Sequence, residues 1–101
     1  ESDNWLVIYN DSAEAMAEIR IQGGSDAWTV RDLGPRESRR LRVSVRGAEE
    51  LVVEVVDWAP EPPTRAFFDP HHAAILTLRL DSSRTISATS ESGIWQRWLN
   101  W

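Results

Sequence analysis

Leu41-Arg-Val-Ser-Val45, reached through Leu33-Gly-Pro-Arg-Glu-Ser38, decides how the rest of the chain reads. Leu41, Val43 and Val45 alternate with Arg40, Arg42, Ser44 and Arg46. A period of two puts successive side chains on opposite faces of a strand, so one face is apolar and bound for a core while the other is basic. The glycine and proline ahead of it supply backbone angles that a strand cannot hold, which makes 33–38 a turn. A short half-buried strand closed by turn residues is therefore the repeating unit to look for on either side.

Toward the N-terminus, Trp5 to Tyr9 reads as a strand closed by Asn10-Asp11-Ser12. Ala13 to Glu18 is rich in Ala, Glu and Met, and there a helical turn competes with a strand start. Ile19 and Ile21 alternate with Arg20 and Gln22 up to Gly23-Gly24, and Trp28-Thr-Val30 resumes the pattern, as in a hairpin or a short loop. Toward the C-terminus, Leu51 to Val56 is apolar on both faces except at Glu54, as in a strand covered on both sides or near the middle of a sheet. Ala59-Pro-Glu-Pro-Pro63 breaks regular structure and predicts the longest loop. Ala66-Phe-Phe68 reads as a short edge strand, Leu76, Leu78 and Leu80 as the next alternating face, and Asp81-Ser-Ser-Arg84 as a turn. Thr85 to Thr89 returns with Ile86 and Ala88 inward. About seven or eight short strands without an alternating helix predict an all-β antiparallel sandwich.

Composition sets the limits. The 101 residues suit one folded domain, 1–101, with one core. At 42% apolar and 27% charged, the chain is neither disordered nor membrane-spanning in character. No apolar run approaches the roughly 20 residues of a bilayer-crossing helix. A net charge of −5 excludes general nucleic-acid affinity, which rests on an excess of Lys and Arg over phosphates. All eleven basic residues are Arg, which points to GC-rich codon usage in the source. The absence of cysteine removes disulfides, thiol nucleophiles and cysteine-bound metals. The sequence opens at Glu1 without a methionine, leaving room for a removed signal or anchor, the single route to a membrane that it suggests.

Three stretches together resemble bacterial extracytoplasmic immunoglobulin-like modules of the cell-adhesion-related type. Val7-Ile-Tyr-Asn10-Asp-Ser12 is similar to their Asn-centred strand end. Leu33-Gly-Pro35-Arg36-Glu37-Ser38 before Leu41-Arg-Val43-Ser-Val45 is similar to a Leu-x-Pro-Gly-Glu-Ser turn and its strand. Gly47 before Leu51-Val-Val-Glu-Val-Val-Asp57 is similar to a closing apolar strand that ends in Asp. Arg36 stands where that pattern has glycine, at odds with a positive φ there. In the family the Asp-ended strand lies near the end of the domain, whereas here some forty residues follow it. Transthyretin-like or carboxypeptidase-regulatory-like sandwiches share such turns and fit equally. Either resemblance implies an immunoglobulin-like sandwich that is periplasmic, secreted or on the cell surface, and that makes contacts without catalysing a reaction.

Catalytic and metal motifs are absent from the pattern. Asp69-Pro-His71-His72 is the single cluster of metal-ligand types, but neighbouring residues on a strand face opposite ways, so a surface turn is expected and no metal or cofactor. Ser87, Ser90 and Ser92 sit in no nucleophile-elbow motif, and Gln22-Gly-Gly-Ser25 precedes no helix that could hold a phosphate. Arg31, Arg36, Arg39, Arg40, Arg42 and Arg46 form a basic stretch, expected to be a solvated face paired with Glu37, Glu49, Glu50 or Glu54 rather than a docking patch.

Six tryptophans remain. Trp5 and Trp28 are expected in the core, as inward residues of strands. Trp58, beside the proline loop, fits a packed ring and an exposed platform equally. Trp95, Trp98 and Trp101 recur every three residues in the tail 93–101, along one side of a short helical turn or split between the faces of a strand. Such rings cap an open sandwich end, anchor a protein partner, pair with a second copy, or stack on sugars. The leading expectation is a non-enzymatic extracytoplasmic interaction module that binds a protein partner or self-associates through its loops and C-terminal aromatics. The alternative is a carbohydrate-binding module with Trp58, Trp95, Trp98 or Trp101 as stacking platforms.

Overall fold

A computed structural model describes residues 4–24, 26–43, 49–68 and 75–91. It is a β-sandwich of eight strands: β1 Asn4–Asp11, β2 Met16–Gly23, β3 Asp26–Leu33, β4 Ser38–Val43, β5 Glu49–Val55, β6 Thr64–Phe68, β7 Ile75–Asp81 and β8 Ile86–Glu91. They form two four-stranded sheets, ordered β4-β1-β7-β8 and β3-β2-β5-β6. All pairings but one are antiparallel. β1 and β7 run parallel, with Leu6 opposite Leu76 and Ile8 opposite Leu78, in a sandwich that is otherwise antiparallel as the short-strand pattern predicts. Among the described residues no helix is long and apolar enough to cross a membrane.

The period-two signal does what it should. Leu6 and Ile8 of β1 with Leu76, Leu78 and Leu80 of β7 are fully buried, facing Ile19, Ile21, Val30, Leu51, Val53 and Phe68 of the other sheet. Each such side chain contributes about 1.5–3 kcal/mol by leaving water. The Gly23-Gly24 hairpin is equally forced. A Cβ on Gly23 would stand 2.4 Å from the Leu51 side chain, and Gly24 holds φ 58° where the chain reverses.

β5 lies near the middle of its sheet, between β2 and β6, one of the two places that its apolar pattern allows, and its outward residues Val52 and Glu54 are half-buried. Two expectations are corrected. Trp5 is not core: it stands on the outward side of β1 with Val7 and Tyr9, and the Arg40 guanidinium lies over its ring at 5.4 Å. Trp28 is half-buried against the core as expected. Ala88 shares a face with buried Leu78 but is exposed, because β8 is an outer edge and the edge strand of the opposite sheet, β6, is only five residues long. Residues 13–15 form no helical turn, and β2 begins at Met16.

The two turns behind the resemblance dock on one another through Asn10. Its side chain is fully buried. Nδ2 donates to the carbonyls of Glu14 at 2.8 Å, Gly34 at 3.0 Å and Leu33 at 3.2 Å, while Oδ1 accepts from the Ser12 hydroxyl at 2.6 Å. Its backbone accepts from the Arg36 amide and donates to the Glu37 carbonyl. Gly34 to Glu37 closes with a Glu37 N–H to Gly34 carbonyl bond of 3.2 Å, with Pro35 second and Arg36 third at φ 62°. That is the positive-φ turn of type II, kept although arginine replaces glycine. Arg36 is tied down by an ion pair to Asp11, which also holds Arg79 at 2.6 Å.

Candidate functional site

One end of the sandwich gathers the 12–15 connection, the Gly34–Glu37 turn, the 56–63 loop and the β7–β8 turn. Trp58 stands among them. Val56 to Trp58 makes a single 3-10 turn after β5, and the Glu61 amide donates to the Trp58 carbonyl at 2.9 Å as the prolines carry the chain back to β6. The peptide before Pro60 is cis. Asp57 pins the turn to β2, its Oδ2 accepting from the Ala17 amide at 2.5 Å. The indole is half-buried and packs on the core with one side.

The β7–β8 turn supplies the opposing group. Asp81 N–H bonds the Thr85 carbonyl and Arg84 N–H bonds the Asp81 carbonyl, both at 3.1 Å. Ser82, Ser83 and Arg84 are thus a three-residue hairpin loop whose last position is left-handed. Arg84 occupies it at φ 63°. The Asp81 carboxylate closes the turn from within, accepting from the hydroxyls of Ser83 at 2.6 Å and Thr85 at 2.8 Å and from the Ser83 amide at 3.0 Å. The Ser83 hydroxyl first, then that of Thr85, draw its pKa down to about 2 from 3.8, against a smaller opposing effect of desolvation. Among the described residues the Arg84 guanidinium makes no ion pair or hydrogen bond.

Trp58 and Arg84 form a wall shared by two grooves. One, of about 270 Å³, is closed by Val55, Pro62, Thr64 and Ile86. The other, of about 320 Å³, is closed by Met16, Glu14, Asp57 and Asp81. An apolar ring, an unpaired cation and carboxylates of both adjoining loops meet along this wall.

No protein-family model matches the chain, and no curated protein matches it closely enough to name a relative. The site therefore has to speak through its own residues.

Of the four tryptophans that the sequence nominates, Trp58 lies at this end. Trp95, Trp98 and Trp101 lie outside the described residues, as does the Asp69–His72 cluster. β8 starts at Ile86 beside the grooves and runs away from them to Glu91, which is paired with Ile75. Among the described residues no group of three or more His, Asp or Glu side chains could hold a metal. Arg36, Arg31, Arg40 and Arg39 of the basic stretch have other partners than expected: Arg36 with Asp11, Arg31 with Glu18 at 3.9 Å, Arg40 with the Trp5 ring and Arg39 with the Arg31 carbonyl at 3.4 Å. Glu37 instead receives the Gly34 amide at 2.7 Å, and Glu50 pairs with Arg65 at 3.3 Å. Arg46 is outside the described residues. Sequence reasoning passed over Arg84. Its signal was a long charged residue at the end of Asp81-Ser-Ser-Arg84, where a three-residue hairpin favours glycine.

Proposed function

We propose that this chain is a non-enzymatic extracytoplasmic binding module, and that the ligand it holds at Trp58 is a saccharide. The observation that supports this is the shared wall: a half-buried indole offers an apolar face, and hydrogen-bonding groups of both signs stand around it. Sugars present apolar C–H faces rimmed by hydroxyls that both donate and accept, so this mixture suits them better than a lipid or a nucleic acid. Loops carried at one end of a β-sandwich are a usual arrangement for a binding surface.

The strand order supports the transthyretin-like member of the resemblance. Here the second and third strands share a sheet, whereas an immunoglobulin sandwich sends them to opposite sheets. The extracytoplasmic placement rests on that resemblance. A protein partner or a second copy is the other reading, and Phe67 favours it: this large side chain is 62% exposed on the edge strand β6.

Calorimetric titration of the protein and of Trp58→Ala with cello-, malto- and manno-hexaose tests the proposal. Binding to one of them, lost in the variant, is expected. Silence across the panel, with a dimer by light scattering that Phe67→Ser dissociates, favours the second reading.

A further inference from the structure

The two grooves are not equivalent copies but two sides of one wall, and Trp58 with Arg84 is all they share. A ligand confined to one groove would use one side of the indole. A ligand that uses the whole wall must cross it.

The charges say what kind of ligand crosses. Glu61 faces the first groove, and Glu14, Asp57 and Asp81 face the second. An acidic ligand meets repulsion from both sides, and a basic one meets Arg84 at the crossing point. An uncharged ligand rich in hydroxyls can donate to the carboxylates and accept from the guanidinium at once.

Arg84 is the residue whose presence the fold does not explain. The left-handed position it occupies is disfavoured for any side chain with a Cβ, and glycine would close the same hairpin. The carboxylate nearest in sequence, Asp81, is committed to Ser83 and Thr85 and leaves Arg84 unpaired. Strain retained at a groove wall, with an unused cation attached, reads as a functional position.

We propose that Trp58 and Arg84 form a saddle between two subsites for a linear, uncharged oligosaccharide, with one sugar unit in each groove and Arg84 donating to oxygens at the linkage. This deepens, and rests on, the saccharide reading above. The ligand therefore has at least two linked units, and a free monosaccharide cannot span the wall.

Calorimetry with glucose, cellobiose, cellohexaose, maltose and maltohexaose, and with a hexameric galacturonan as the acidic counterpart, tests this on the wild type, Arg84→Gly and Arg84→Asn. A disaccharide is expected to bind at least tenfold more tightly than glucose, and the galacturonan more weakly than the neutral hexamers. Both Arg84 variants are expected to lose tenfold or more in affinity while melting no lower than the wild type, since glycine and asparagine accept the turn. Glucose binding as tightly as the disaccharides, galacturonan binding best, or unchanged affinity in both variants would each overturn the saddle while leaving a saccharide site standing. No binding to the wild type by any of these sugars or by manno-hexaose overturns the saddle and the saccharide reading together.

Discussion

Two turns at the same end of the sandwich each place an arginine in the left-handed region: Arg36 at φ 62° and Arg84 at φ 63°. Their backbones are alike and their surroundings are not. Around Arg36 the structure closes on itself: the Asn10 side chain donates to the carbonyls of Leu33 and Gly34 and its backbone amide to that of Glu37, the Glu37 carboxylate caps the Gly34 amide, and the guanidinium is ion-paired with Asp11. Around Arg84 the carboxylate of Asp81 binds the rest of the loop and leaves the guanidinium alone between two grooves. The same departure from glycine is thus accounted for inside the fold in one turn and not in the other. That difference is what singles out the Arg84 turn, and not the Arg36 turn, for the ligand proposed above.

The comparison breaks most severely at Asn10. Asn10→Leu takes the buried amide away from the carbonyls of Glu14, Leu33 and Gly34 and from the Ser12 hydroxyl; Gly34 keeps the Glu37 amide, and Glu14 and Ser12 keep one another, and at roughly 1–3 kcal/mol for a buried group that loses its partner we expect a loss of about 3 kcal/mol. Thermal unfolding should show this as a drop of roughly 12–24 °C for a domain of this size. A drop of only a few degrees would mean that the Arg36 turn is held by its ion pair instead.

The glycine replacements sharpen it further. A left-handed arginine costs about 1–2 kcal/mol and a glycine gives back roughly 0.4–1 kcal/mol through the unfolded chain. Arg84→Gly, losing no partner, should gain up to about 1 kcal/mol, and chemical denaturation would register it as a higher midpoint. Arg36→Gly also loses an exposed ion pair worth about 0–1 kcal/mol, so it should be close to neutral.

Acid titration asks how the Arg84 loop holds its shape. Asp81 has a folded pKa of about 2, below its ordinary 3.8, so the stability it confers is fully present above the ordinary value and is lost as pH falls from there toward about 2. Asp81→Asn should melt lower than the wild type at neutral pH, and the gap should narrow through that window. A gap of constant width from pH 6 to pH 2 would show that the carboxylate charge is not what binds Ser83 and Thr85.

The smallest effect is expected far from both turns. Arg40→Ala removes the guanidinium from the half-buried Trp5 ring and should cost about 0.5–1 kcal/mol, seen in the same denaturation assay.

Period-two alternation made most of the fold legible: Ile19, Ile21, Leu76, Leu78 and Leu80 are core where the pattern puts them. What it could not show is pairing. The β1–β7 contact joins residues some seventy positions apart in parallel, and nothing local in Trp5 to Tyr9 encodes a partner at that distance. Which face of β1 is core also misled the reading of Trp5, because Leu6, Ile8 and Trp5, Val7 are both apolar sets and only the burial of Asn10 breaks the tie. At the site, Trp58 was visible as an indole beside a proline loop. Arg84 was not, since its interest lies in a backbone angle and in a missing partner, and both need coordinates.

Backbone amide mapping by NMR, with cello-, malto- and manno-hexaose added in turn, tests the central claim most directly. For the hexamer that binds, shifts are expected to be confined to residues 12–16, 53–64 and 81–86, the three segments that line the two grooves. Shifts centred instead on the outward face of β1 from Trp5 to Tyr9, or none with any of the three sugars, would contradict a saccharide site at Trp58.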